Sequence, residues 1–306
     1  MKKRYVGIFL LVVVCMLSVL SACQSSGSDS TQSATTSTNV TSSNQEVNTP
    51  TINWDIIPDS DFEYRYDSEL KGVVITKYHG SSNKVRFPDT INGDPVVGLE
   101  YLGNSAFVAV YIPNSVLRIG HAAFDNCASL TSITLPDSVT SIGRRAFKDC
   151  TGLTSISLPD GLTSIDQEAF SDCGFTSLTI PDSVTSLGML AFSSCKKLTN
   201  IKLPDTSKLE QFVFDNTYWF NSQPDGIMYL GNVLYGYKGN LSENTVVIRD
   251  GVTSIADAAF LDCTVLTSVT IPDSVIIIGD TAFVGCINLD EATKSRILQI
   301  NPKVKF

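Results

Sequence analysis

Ile119-Gly-His-Ala-Ala-Phe-Asp-Asn-Cys-Ala-Ser-Leu-Thr-Ser-Ile-Thr-Leu-Pro-Asp-Ser-Val-Thr-Ser141 runs without a gap into Ile142-Gly-Arg-Arg-Ala-Phe-Lys-Asp-Cys-Thr-Gly-Leu-Thr-Ser-Ile-Ser-Leu-Pro-Asp-Gly-Leu-Thr-Ser164. The two copies set a period of 23 residues. Phe124, Phe147, Phe170, Phe192, Phe214, Phe260 and Phe283 hold one position in it, at steps of 22 or 23 and one double step of 46 after Phe214. Self-similarity at this length predicts a solenoid, in which each unit buries its apolar face only against its neighbours.

Within a unit, Leu-Thr-Ser-Ile-x-Leu-Pro alternates as a strand does: Ile133 and Leu135 point inward, Ser132 and Thr134 outward. Pro136-Asp137 ends that strand, because Pro lacks the ladder donor and Asp closes turns through its side chain. Val139-Thr-Ser-Ile142-Gly143 returns apolar residues to the interior. Ala146-Phe147 and Cys150 then plug the far side from a short helical or turn-like piece. Layers stacked about 4.8 Å apart close the core. Each buried large side chain contributes about 1.5–3 kcal/mol, which offsets the ordering entropy only when neighbouring units are present.

Full units start at Ile119, Ile142, Ile165, Leu187, Leu209, Ile255 and Ile278, within an array spanning 99–289 that opens on a shortened unit containing Ala106-Phe107. Residues 51–98 read as an N-terminal β cap and irregular first repeat, with a hairpin in Phe62–Tyr66 and Gly72–Tyr78. The double step holds an insert near 218–245. There Thr217 takes the cysteine position, Tyr218-Trp219-Phe220 follows, and Gly226–Gly239 reads as a hairpin with a Gly-Asn turn. Its Tyr237-Lys-Gly239 echoes Tyr78-His-Gly80, so it is expected to be a second cap-like hairpin occupying one layer. Residues 290–306 read as a helical C-terminal cap, with Asp290 as N-cap and Pro302 past the end. The fold class is therefore an α+β repeat solenoid, a right-handed stack of β-turn units between a hairpin cap and a helical one.

The first 22 residues read as a signal peptide: Lys2, Lys3 and Arg4 precede the apolar run Val6–Leu17. The run is short of the roughly 20 residues a spanning helix needs. Leu20-Ser21-Ala22-Cys23 resembles the lipobox of bacterial lipoproteins. That resemblance implies a diacylglyceryl group on Cys23 and a place on the outer face of the bacterial cell membrane, held by the lipid anchor alone. An ordinary signal peptide or an uncleaved anchor is the alternative. Residues 23–50 carry the anchor and a Ser/Thr-rich tether, too poor in apolar side chains to fold.

The unit Ile-Gly-x-x-Ala-Phe-x-x-Cys-x-x-Leu-Thr-Ser-Ile-x-Leu-Pro-Asp-Ser-Val-Thr-Ser resembles the BspA-like leucine-rich repeats of bacterial surface proteins, from about Leu99 to Asn288. The Pro-Asp turn sets it apart from ordinary leucine-rich repeats. The resemblance implies a curved, surface-exposed solenoid with roles in adhesion or in binding matrix proteins, cells or glycans, and no catalytic residues.

A net charge of −9 and the lack of a Lys/Arg-rich run exclude nucleic acid as a partner. Cys127, Cys150, Cys173, Cys195, Cys263 and Cys286 share one repeat position, which favours a stacked ladder of reduced thiols; pairing of neighbours is the alternative. With no Cys-x-x-Cys and only His79 and His121, no metal or other cofactor is expected. Asp137, Asp160, Asp182, Asp205 and Asp273 form a column that would suit calcium, but each already has a turn role. No Gly-x-Ser-x-Gly motif occurs, and no enzymatic activity is expected.

The candidate binding residues fall in two groups. Ser132, Thr134, Ser155, Ser157, Ser177, Thr179, Asn200 and Lys202 face outward from the strands, with Ser268 and Thr270 beyond the insert. Tyr218, Trp219, Tyr229, Tyr235 and Tyr237 form an aromatic cluster in the insert, suited to a discrete protein or glycan site. The expected function is adhesion or protein–protein interaction by a monomer. Glycan capture for nutrient uptake, or a coat role without a dedicated ligand, is the alternative.

Overall fold

The structure, a computed structural model, describes Trp54 and residues 57–306 except 104, 105 and 206. They lie in one compact unit spanning residues 52–306. The signal peptide, Cys23 and the tether lie outside the described residues. No described helix is long and apolar enough to cross a membrane.

The stack opens on an antiparallel hairpin of β1 (Phe62–Asp67) and β2 (Gly72–Tyr78). β3 (Lys84–Arg86), β4 (Thr90–Ile91), β5 (Asp94–Leu99) and β6 (Ala109–Tyr111) follow, with β5 parallel to β2. Each later turn adds a two-residue strand ending on its ladder isoleucine: β7 (Arg118–Ile119), β8 (Ser141–Ile142) and β9 (Ser164–Ile165). The next turns carry two strands each, β10 (Ser177–Thr179) with β11 (Ser186–Leu187), then β12 (Asn200–Lys202) with β13 (Lys208–Leu209). Ile119, Ile142, Ile165, Leu187 and Leu209 pair in register down this parallel ladder, and all are buried.

The continuous ladder therefore runs through Val-Thr-Ser-Ile, not through Leu-Thr-Ser-Ile-x-Leu as the sequence suggested. Side chains explain the choice. On the ladder side the Ser138 and Ser183 hydroxyls donate to Val116 O and Leu162 O at 2.7 and 2.6 Å, and Thr163 donates to Thr140 O at 2.9 Å. These clamps add to the backbone bonds between turns. On the other side Ser132, Thr134, Ser155 and Ser157 make no such bond to described residues, and strand pairing is local: β3 with β6, and β10 with β12, where Thr199 does donate to Thr176 O at 3.0 Å. The alternation holds all the same, with Ile133, Leu135, Leu178 and Ile180 buried.

The far side is built of turns, with no helix. Around the ladder phenylalanines from Phe124 to Phe260, the residues two before and two after adopt left-handed backbone, as in Ala122 and Asn126, Arg145 and Asp149, Glu168 and Asp172, and Leu190 and Ser194. That conformation costs about 1–2 kcal/mol at a non-glycine residue. It turns alternate N–H groups toward the next layer. Arg145, Phe147 and Asp149 donate to Gln167, Ala169 and Ser171 carbonyls at 3.0, 2.7 and 2.9 Å. The intervening Ala146 and Lys148 N–H groups bond within their own turn. So the turns form a second inter-layer ladder, and their backbone donors are satisfied. Inside it the rings stack, with centroids 5.3 Å apart for Phe124–Phe147, 5.1 Å for Phe147–Phe170 and 5.2 Å for Phe170–Phe192.

The six ladder cysteines are free. Cys150, Cys173, Cys195 and Cys286 donate Sγ–H to the phenylalanine carbonyl of the preceding turn, at 3.0–3.2 Å. A thiol thus fills the core as an alanine would and also satisfies a carbonyl. Burial pushes the Cys195 and Cys286 thiols up to about 12, so they stay protonated.

The insert begins with α1 (Tyr218–Ser222) and the antiparallel hairpin of β14 (Gly226–Leu230) and β15 (Val233–Lys238). β16 (Thr245–Val247), β17 (Ser254–Ile255), β18 (Ser268–Thr270) and β19 (Ile277–Ile278) complete the strands. The order β14-β15-β17-β19 repeats β1-β2-β5-β7, a hairpin followed by parallel turns, and β16–β18 repeats β3–β6. β13 and β15 belong to different sheets, while the apolar core divides within the β14–β15 hairpin: Met228, Leu230, Val233 and Tyr235 pack with the first array and Leu234 with the second. The chain therefore holds two arrays in one stack, each opened by its own hairpin.

α2 (Glu291–Ile300) closes the second array. Asp290 accepts from Thr293 N at 2.7 Å as its N-cap, and Asn301 Nδ2 donates to Ile278 O at 2.7 Å where a further turn would have donated.

Candidate binding surface

Thr217 is the residue that shapes the site. At the position where other turns carry cysteine, its hydroxyl donates to Phe214 O at 2.7 Å and accepts from Phe220 N at 3.1 Å. That second bond is an N-cap, and it starts α1 where the other turns go straight on to Leu. Lys238 reaches back from β15 to the other end of α1, donating to the carbonyls of Asn221 and Gln223 at 2.9 and 2.6 Å. A cation there also suits the negative end of the helix. Held at both ends, α1 presents Trp219 half-buried beside β10 and β12.

A shallow cleft of about 360 Å³ results, lined by Ser177, Thr179, Thr199, Asn200, Lys202 and Trp219, with Leu230 at its base. It joins the two groups of residues singled out in the sequence: the outward strand positions and the first aromatic of the insert. Ser177, Thr179, Asn200 and Lys202 are exposed. Their side-chain polar atoms make no hydrogen bond to other described residues, in contrast to the ladder-side hydroxyls. Ser155 and Ser157 extend the same exposed face, and Ser132 and Thr134 lie further along it. Polar groups already hydrated and unpaired within the chain can exchange water for a partner at little cost.

The remaining aromatics do not gather here. Tyr235 is buried at 6 % exposure, its hydroxyl accepting from Phe214 N at 2.9 Å and donating to Asp215 at 2.7 Å. It stands in for the carbonyl that the next turn would have offered Phe214, so it is the plug of the interruption. Tyr229 carries the Arg249 guanidinium 4.3 Å from its ring centroid, and both it and Tyr237 pack against the second core. Tyr218 is 58 % exposed and does not line the cleft. Thr199 and Leu230 join the cleft without having been foreseen; Leu230 was legible only as the residue before a Gly-Asn turn. Among the described residues no cluster of three His, Cys, Asp or Glu could hold a metal ion, and Asp273 of the aspartate column pairs with Arg296 at 2.9 Å.

The sequence profile of the BspA type leucine rich repeat region matches residues 117–223 and 229–304, in six copies. The chain belongs to that family. The break in the BspA-type match falls at the start of the β14–β15 hairpin. A leucine-rich repeat protein from Bacteroides ovatus is similar at 25 % identity, over 77 % of this chain and 81 % of that one, with a TM-score of 0.47. A T. pallidum leucine-rich repeat protein shares 28 % identity over 82 % of this chain and 99 % of that one, at a TM-score of 0.44. A leucine-rich cell surface protein from Faecalibacterium prausnitzii shares 24 % over 76 % and 75 %, at 0.32. No curated protein matches the chain.

Proposed function

We propose that this BspA-type repeat protein is a non-enzymatic cell-surface binding protein that holds an extracellular protein partner on its Ser/Thr strand face. The observation that carries the reading is the row of exposed polar side chains Ser155, Ser157, Ser177, Thr179, Asn200 and Lys202, none hydrogen-bonded to a described residue, ending at the Trp219 cleft. Interfaces need an aromatic anchor in a pocket with a polar surround, and Trp219 with its neighbours supplies that arrangement. The Faecalibacterium relative, described as a cell surface protein, agrees with an exposed location. In this reading Cys23 carries the lipid that tethers the chain to the outer face of the membrane, and adhesion is the role of the bound partner.

The test is binding of the full chain to immobilised extracellular matrix proteins, compared with the Trp219→Ala variant. Saturable binding that falls at least about tenfold in the variant, at an unchanged melting temperature, is the expected result. Binding that ignores Trp219 would move the site elsewhere on the stack. Radiolabelled palmitate incorporation into the parent but not into Cys23→Ser tests the anchor.

A further inference from the structure

The chain has two tryptophans, and each lines a cleft on the same strand face. The cleft at Trp54 lies where β6 and the extended segment 132–136 run side by side without pairing, and it encloses about 190 Å³. Trp54 meets Tyr111 edge to face at 6.2 Å between ring centroids, and Arg86 sits 3.8 Å from the Tyr111 centroid and fixes that ring. Opposite the aromatics stand Asn114, Ser132 and Thr134, all exposed, none with a side-chain hydrogen bond to another described residue. Ile133 and Pro136 complete an apolar floor. Among the described residues the lining contains no carboxylate, ammonium or guanidinium group.

We propose that this cleft binds one residue of a neutral saccharide. A pyranose ring has an apolar C–H face and a rim of uncharged hydroxyls. Trp54 and Tyr111 offer amphipathic rings for the first, and the amide and two hydroxyls offer both donors and acceptors for the second. The volume suits a single ring and not a drug-sized ligand, which takes about 300 Å³ or more. An extended peptide would ask for a longer groove or for charge, and the described lining offers neither. The site lies apart from the Trp219 cleft and does not rest on the protein-binding reading.

The experiment is a calorimetric or saturation-transfer titration of the full chain in detergent with methyl glycosides of neutral hexoses, N-acetylhexosamines and a uronic acid. Neutral oligosaccharides, and a glycoprotein before and after enzymatic deglycosylation, distinguish a free glycan from a protein-borne one. The proposal expects saturable binding of at least one neutral sugar and weaker binding of its uronic acid counterpart. Trp54→Ala should abolish it, and Ser132→Ala with Thr134→Ala should weaken it at least about fivefold through the lost hydrogen bonds. Both changes lie at the surface, and an unchanged melting temperature shows that the fold is kept. Absence of binding to every neutral saccharide, or equal binding by Trp54→Ala, or equal binding of the uronic acid, would overturn it.

Discussion

Phe147 lies between Phe124 and Phe170 with no exposed surface, its ring tilted 14° from one and 4° from the other. Removing it opens a hole that two flanking rings cannot fill, because both are held by the backbone ladder on either side. Phe147→Ala should lower stability by about 3–5 kcal/mol, read from chemical denaturation. Asp215 offers a test of charge. Burial raises its pKa above the ordinary carboxylate value of 3.8, opposed by the Tyr235 hydroxyl bond. The folded chain therefore holds this proton more tightly than the unfolded one, and stability is lost as pH rises from 3.8 through the folded pKa. Asp215→Asn keeps an acceptor for Tyr235 and has no charge to bury. Its melting temperature should exceed the parent's at neutral pH, and the difference should vanish below 3.8. At this scale the phenylalanine column and the cysteine position were plain in the sequence, since period alone reveals them. The left-handed residues were not, because Arg145, Glu168 and Leu190 give no local sign of that conformation. A faint signal existed two places after six of the seven phenylalanines, where Asn126, Asp149, Asp172, Asn216, Asp262 and Gly285 are types that tolerate it, Ser194 being the exception.

α1 shows how one substitution re-routes an element. With cysteine at the ladder position, as in Cys150 and Cys173, the thiol bonds back to the previous turn and the chain continues to the next strand. With Thr217, the hydroxyl bonds within its own turn and forward to Phe220 N, and a helix begins. Thr217→Ala should cost about 1 kcal/mol through the lost cap, seen as a lower denaturation midpoint. The change from cysteine was visible in the sequence; its consequence was not, since a five-residue helix leaves no periodic trace. The hairpins were more legible, because Gly231-Asn232 and the shared Tyr-x-Gly ends mark them. Which segment of the unit would make the continuous ladder could not be read from alternation, as both candidate segments alternate. Side-chain clamps recur along the ladder side, at Ser138, Thr163 and Ser183, and on the other side accompany only the local pairing at Thr199 and Thr267.

For the whole molecule, the feature with the largest consequence is the splice between two arrays. A regular junction, such as that between the turns of Ile142 and Ile165, is crossed by strand pairing and by the three backbone bonds of the turn ladder. Among the described residues, one backbone-to-backbone hydrogen bond crosses the splice, from Asp257 N to Leu209 O at 3.0 Å. Side-chain hydrogen bonds add Ser254 to Ser207 O, Thr253 to Asp205 O, Gln211 to Thr281, and Tyr235 with Phe214 N and Asp215, and Met228, Leu230 and Val233 pack on the first core. In a repeat protein, stability is close to a sum of units and their interfaces, so a weak interface separates cooperative units. The period of 46 residues between Phe214 and Phe260 announced an interruption, and the echo of the opening hairpin hinted at its form. Native-state hydrogen exchange by mass spectrometry on Phe283→Ala tests the two-array architecture directly. Faster exchange confined to residues 233–306, with residues 62–209 protected as in the parent, is the predicted outcome. An even loss of protection along the whole stack would contradict it.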